Sequence, residues 1–120
     1  MKEIIQSLAT QYQKELIAVR RYLHAHPELS FEEVETAKFI ASKLQEFGIE
    51  HQTNIGGNGI VGYIKGKNPD SKTIALRADI DALPIFEKNN CSYTSQNEGV
   101  MHACGHDVHT TCLLGAAKIL

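Results

Sequence analysis

The sequence predicts an α/β fold in the order α, α, β, β, β, loop, α, and three observations carry that prediction. Apolar residues recur at helical spacing near both ends, the period shortens to that of strands in the middle, and glycine, proline and asparagine mark the changes. From Lys2 to about Ala25, the residues Ile5, Leu8, Tyr12, Leu16, Val19 and Leu23 form the stripe of an amphipathic helix, which Pro27 cannot continue. Ser30 stands three residues before Glu33 in the pattern of a capping box, and Val34, Ala37, Ile40, Ala41 and Leu44 supply a second stripe that Gly48 ends. Residues 49–53 and 60–64, separated by Gly56-Gly57-Asn58-Gly59, read as a hairpin. Beyond the polar stretch 65–72, Thr73-Ile74-Ala75-Leu76 reads as a third, largely apolar strand, and 88–99 as a long irregular connection. A last helix is expected from an Asp107 N-cap, with Val108, Cys112, Leu113, Ala116 and Ile119 on its inner face. Its pattern is still running at Leu120, so residues 1–120 are expected to be one part of a longer chain.

Composition narrows the function. With 42% apolar and 22% charged residues the chain has the make-up of a soluble globular protein. Twelve Lys plus Arg against fourteen Asp plus Glu give a net charge of −2, so no basic field exists to gather nucleic acid. No run approaches the ~18 apolar residues of a membrane span, and the opening Met-Lys-Glu-Ile-Ile-Gln-Ser lacks the apolar stretch of a secretory signal. Cys91, Cys104 and Cys112, odd in number and widely spaced, fit a reduced cytoplasmic chain better than a disulfide scaffold. There is no G-x-S-x-G, P-loop or paired C-x-x-C, which removes serine-hydrolase, NTPase and zinc-ribbon readings.

Two clusters carry candidate chemistry. Met101-His102-Ala103-Cys104-Gly105-His106-Asp107-Val108-His109 places four Cys or His side chains and a carboxylate within nine residues, and thiolate and imidazole are ligands for zinc, nickel, cobalt and manganese. Cys104 and His106 share one side of an extended segment but not of a helix, so both reach one ion only if the helix begins after them. The competing reading is a Cys104 serving as a small apolar residue and a His106 satisfied by backbone groups. Asp79 and Asp81 form the second cluster, again two apart. Metal association, orientation of ligating histidines and capping of a turn all remain open for them, with Arg77 available as a counter-charge. His24 and His26 are read as C-terminal caps of the first helix, Cys112 as core, and Cys91 as without a role.

Three stretches together resemble a known family: Arg-Arg-Tyr-Leu-His-Ala-His-Pro-Glu-Leu-Ser-Phe-Glu-Glu at 20–33, Leu-Arg-Ala-Asp-Ile-Asp-Ala-Leu-Pro-Ile at 76–85, and Met-His-Ala-Cys-Gly-His-Asp-Val-His-Thr at 101–110. They are similar to the metal-dependent amidohydrolases that include hippurate hydrolase, N-acyl-amino-acid amidohydrolases, N-acetyldiaminopimelate deacetylase and the plant hydrolases of auxin conjugates. The resemblance implies a two-metal, aminopeptidase-like catalytic domain with a mixed sheet between helices, and a separate lid or dimerisation domain, absent here. It implies Cys104 and His106 as metal ligands, Asp81 as the aspartate that orients a ligand, and Asp79 at most in a supporting position. It further implies two divalent ions per complete subunit, manganese or zinc with nickel or cobalt as alternatives, an N-acyl amino acid substrate and a homodimeric parent. The family's glutamate pair, which supplies the general base, and its further metal histidines lie downstream of the Cys-Gly-His-Asp motif, outside residues 1–120. The alternative function is that these residues alone are a non-catalytic fragment or weak metal-binding module.

Overall fold

A computed structural model describes all 120 residues. Helix α1 (Lys2–Ala25) and helix α2 (Val34–Glu46) are followed by strands β1 (Glu50–Ile55) and β2 (Gly59–Tyr63), and helix α3 (His106–Ile119) closes the order. Helix α1 lies against α3, while α2 covers the β1–β2 hairpin. Val19 and Leu23 of α1, Ile40 and Leu44 of α2 and Leu114 of α3 form the buried cluster, with Phe39, Phe47, Ile49, Ile60 and Ile80 packed around it. The core is thin, with 17 of 120 residues buried. The radius of gyration is 15.2 Å, above the roughly 14 Å expected of a self-contained domain of this length.

Helix α1 follows its sequence stripe, burying Val19 and Leu23 while Ile5 at its other end stays exposed. His26 caps it as expected, donating from Nδ1 to the Tyr22 carbonyl at 2.8 Å. Helix α2 is capped differently from the prediction. Ser30 and Glu33 form no capping box; instead the Glu28 carboxylate accepts the Glu35 N–H at 3.1 Å and the Thr36 N–H and hydroxyl at 2.6 Å each. The carboxylate also lies at the positive end of the helix dipole, which a Ser hydroxyl would complement less well. The other end matches the Schellman pattern. The Ile49 N–H bonds the Leu44 carbonyl at 2.9 Å and the Gly48 N–H bonds the Gln45 carbonyl at 3.0 Å, with Gly48 at a φ of 71°.

In the antiparallel hairpin Glu50, His51 and Gln52 face Tyr63, Gly62 and Val61, and a bulge shifts the register before Ile55 meets Gly59. Asn54 at a φ of 60° is the bulge residue on the turn side. A Cβ at position 59 would lie 2.3 Å from the Ile55 carbonyl oxygen, so the chain can close here only with glycine.

Two expectations fail. The segment 73–76 is not a strand: it has no ladder partner, and the sheet formed within these 120 residues is two-stranded and antiparallel. A strand exists only through the neighbour it bonds, and Ile74 and Leu76 are instead 83% and 60% exposed. Helix α3 also turns a different face inward. Thr110, Thr111, Leu114 and Gly115 are buried, whereas Val108 and the predicted core residue Cys112 are exposed. Small residues win because α1 is so close: a Cβ at Gly115 would meet Leu16 Cδ1 at 2.8 Å.

Between these elements two isolated bridges set the positions that matter below. Ala82 pairs in parallel with Leu29 and bonds the Glu28 carbonyl at 2.8 Å, while Leu83 and Met101 exchange N–H bonds of 3.0 and 2.9 Å. Residues 81–83 are thereby held between the corner after α1 and the approach to α3.

Replacing the α2 cap by Glu28→Ala is expected to destabilise the chain by about 1 kcal/mol. The check is a lower urea midpoint by circular dichroism, and an unchanged midpoint would contradict the assignment of the cap.

Candidate functional site

Residues 101–107 approach α3 through a turn at Ala103 and Cys104, then reverse at Gly105, which has a φ of 92° and serves as the helix N-cap. The expected Asp107 cap is therefore displaced by two positions, because Gly105 takes the left-handed conformation at little cost. His106 is the first helical residue, so the alternation argument for Cys104 and His106 on extended backbone does not apply. Their relation is set by the turn and the glycine instead. The Cys104 thiol is exposed and forms no hydrogen bond.

His106 is held from one side. Its Nδ1 lies 2.9 Å from Asp81 Oδ1 and 3.0 Å from the Asp81 carbonyl oxygen. Both partners are acceptors, so Nδ1 carries a proton, and Nε2 is the ring nitrogen left without a partner. This is the carboxylate–histidine pairing that elsewhere fixes a ligating imidazole's tautomer and ring orientation. Asp79 does something else: its carboxylate accepts from Arg77 Nη2 at 2.6 Å in an exposed pair, and its carbonyl accepts the Thr110 hydroxyl at 3.0 Å. Of the alternatives open for the two aspartates, orientation of a histidine describes Asp81, and the Arg77 counter-charge describes Asp79.

A second cluster lies behind this one. His24 is not a helix cap; it is 3% exposed, with Nδ1 2.7 Å from Asp107 Oδ2 and Nε2 2.9 Å from Glu87 Oε1. Arg20 Nε stands 3.0 Å from the same Asp107 oxygen, contributing charge without an aligned bond. Glu87 also accepts the Ser95 N–H at 2.6 Å and the Asn89 amide at 3.0 Å. Burial alone would raise the Glu87 pKa, but the Ser95 N–H, the His24 ring and the Asn89 amide together hold it at about 2. No motif or spacing marks Glu87, which sits in an irregular segment.

His102 lies between the two clusters, buried at 4% exposure with neither ring nitrogen bonded. Burial lowers its pKa and so favours the neutral ring, and the nearby Asp107 carboxylate opposes that without reversing it.

The donor set fits part of a metal centre. A thiol free of hydrogen bonds and an imidazole presenting Nε2 are suitable for zinc or a neighbouring first-row ion. No three Cys, His, Asp or Glu side chains stand close enough together to hold an ion within these residues.

Against this geometry the comparisons are informative. Residues 75–120 match the profile of peptidase family M20/M25/M40. The chain is 55% identical over 108 residues to the hippurate hydrolase of Campylobacter jejuni, and 48% identical over 118 residues to an N-acyl-L-amino acid amidohydrolase of Geobacillus stearothermophilus. These alignments cover 90% and 98% of this chain but 28% and 32% of the relatives. The crystal structure of the Bacillus subtilis YXEP protein, described as a dinuclear metal binding peptidase from the M20 family, superposes with a TM-score of 0.86 at 48% identity. That superposition covers 91% of this chain and 30% of the other. The chain is thus similar to M20 hydrolases, and it spans about 30% of the length of the proteins it matches. No helix is long and apolar enough to cross a membrane.

Because the folded Glu87 pKa lies below its ordinary value of 4.5, its contribution to stability is complete above that pH and is lost as pH falls toward 2. Acid titration of the unfolding midpoint should therefore show a steeper loss across that window for the native chain than for Glu87→Gln. Parallel curves would contradict the assigned state of this carboxylate.

Proposed function

We propose that this chain supplies part of the metal centre of an M20-type amidohydrolase that cleaves the amide bond of N-acyl amino acids, with Cys104 and His106 as metal ligands and Asp81 orienting His106. The observation that carries the proposal is the double contact of His106 Nδ1 with Asp81, which leaves Nε2 as the one nitrogen able to bind an ion. A pair of divalent ions, manganese or zinc with nickel or cobalt as alternatives, would supply an activated water and stabilise the charge on the amide oxygen. Within this chain Asp81 holds the proton on Nδ1 and so turns Nε2 outward as the nitrogen that would meet the ion. The exposed Cys104 thiol supplies the softer donor of the pair, in its thiolate form when it ligates.

In the same reading, the general base and the remaining ligands come from polypeptide outside these 120 residues, as does any lid domain or homodimer contact. The exposed apolar residues Ile74, Leu76 and Val108 support this, since they are suited to a sheet and a helix face that further chain would cover. The 120 residues alone are expected not to turn over substrate, with two candidate ligands against the three of ordinary catalytic zinc sites. The three free cysteines favour a reducing compartment such as the cytosol.

The test uses both lengths of protein. Cobalt added to the 120-residue chain should produce a thiolate charge-transfer band that Cys104→Ser removes. The complete enzyme, assayed on N-benzoyl and N-acetyl amino acids, should lose activity by 10- to 100-fold, in round terms about that range, on Asp81→Ala. A cobalt band unaffected by Cys104→Ser, or full activity in the Asp81 variant, would defeat the proposal.

A further inference from the structure

Four charged groups from three separate parts of the chain meet behind His106: Arg20 and His24 of α1, Glu87 of the segment between Leu83 and Met101, and Asp107 of α3. Their formal charges cancel when His24 is protonated. The geometry suits a ring that donates from both nitrogens, because Nδ1 faces one carboxylate and Nε2 another, and an ionised carboxylate only accepts. Arg20 Nη2, 3.4 Å from Nδ1, is too distant to compete with the 2.7 Å contact to Asp107. Tyr93 stands edge-on to the ring at 5.6 Å between centroids, and the Arg20 and Arg21 guanidinium groups lie over the Tyr93 face.

Such a cluster is not the least costly way to join three segments, since apolar side chains of similar volume stabilise a core as well or better. What charges add is a defined geometry. Asp107 directly follows His106, and consecutive helical side chains diverge by roughly 100°. The first turn of α3 is therefore pinned twice in different directions, by Asp81 on the His106 ring and by His24 on the next carboxylate. Asp107 Oδ1 also accepts the Val108 N–H at 2.9 Å, which ties the same carboxylate to the helix backbone.

We propose that His24 is a positioning residue for His106: a protonated imidazole, buried between Asp107 and Glu87, that fixes the first helical turn on which the candidate ligand stands. The effect on metal binding rests on the metal-centre reading above, but the effect on His106 does not. Removing His24 frees Asp107, lets the first turn of α3 shift, and loosens the Asp81 contact that selects the His106 tautomer.

The experiment is nitrogen-15 NMR of histidine-labelled 120-residue chain at neutral pH without metal, for the native protein, His24→Gln and Glu87→Gln. In the native chain both His24 nitrogens should be protonated and His106 should show a single Nδ1–H tautomer. His24→Gln should move His106 toward a mixture of tautomers, and Glu87→Gln should do so to a smaller extent because the Asp107 contact survives. A subsequent cobalt titration should show affinity lowered about tenfold in His24→Gln. A bystander holding only the fold would lower the melting midpoint of either variant and leave the His106 signal in place, and that outcome overturns the proposal. Should His24→Gln fail to fold, an unchanged His106 signal in Glu87→Gln overturns it equally. Failure of the native chain to bind cobalt defeats the metal-centre reading, while the metal-free spectra still decide the role of His24.

Discussion

An imidazole has two nitrogens, and once one is bonded to a fixed acceptor only the other remains for an ion. In this chain Asp81 offers His106 both a carboxylate and a carbonyl oxygen, so a single residue determines the tautomer and the direction of the ring. Much of the surrounding structure serves that contact. Residues 81–83 are held between the corner after α1 and the strand-like approach to α3 by backbone bonds on both flanks. Gly105 then turns the chain so that His106 opens the helix. Without those bridges Asp81 would lie on the same loose segment as the exposed residues 73–77, with no defined relation to position 106.

The buried charges make sense in the same frame. A protonated His24 between Asp107 and Glu87 joins α1, the segment between Leu83 and Met101, and α3, three parts with little apolar area to share. The low pKa of Glu87 shows that its hydrogen bonds outweigh its burial, which keeps the pairing ionic at neutral pH. His102, between this cluster and the Asp81–His106 pair, is the buried histidine of the motif, and neither of its ring nitrogens has a partner.

What could be read from the sequence was local. Helix α1, the Gly48 stop and the hairpin follow from spacing and turn residues a few positions apart, and the structure places them where expected. The segment 73–76 could not be judged that way, because strand formation depends on partners elsewhere. The inner face of α3 was misread because close approach to Leu16 selects Thr110, Thr111 and Gly115 over the larger apolar stripe. At the site, Cys104, His106, Asp79 and Asp81 stood out by residue type, and the three motifs pointed to the hydrolase family the comparisons match. The division of labour between the two aspartates needed coordinates. So did the role of His24, whose partners lie 83 and 63 residues away in sequence.

Anomalous diffraction from crystals grown with zinc reads directly which side-chain atoms meet an ion. A peak is expected about 2.0–2.1 Å from His106 Nε2 and about 2.3 Å from Cys104 Sγ, with the Asp81 contact to Nδ1 intact. A peak on Nδ1 with Asp81 displaced, or zinc bound away from both side chains, would contradict it.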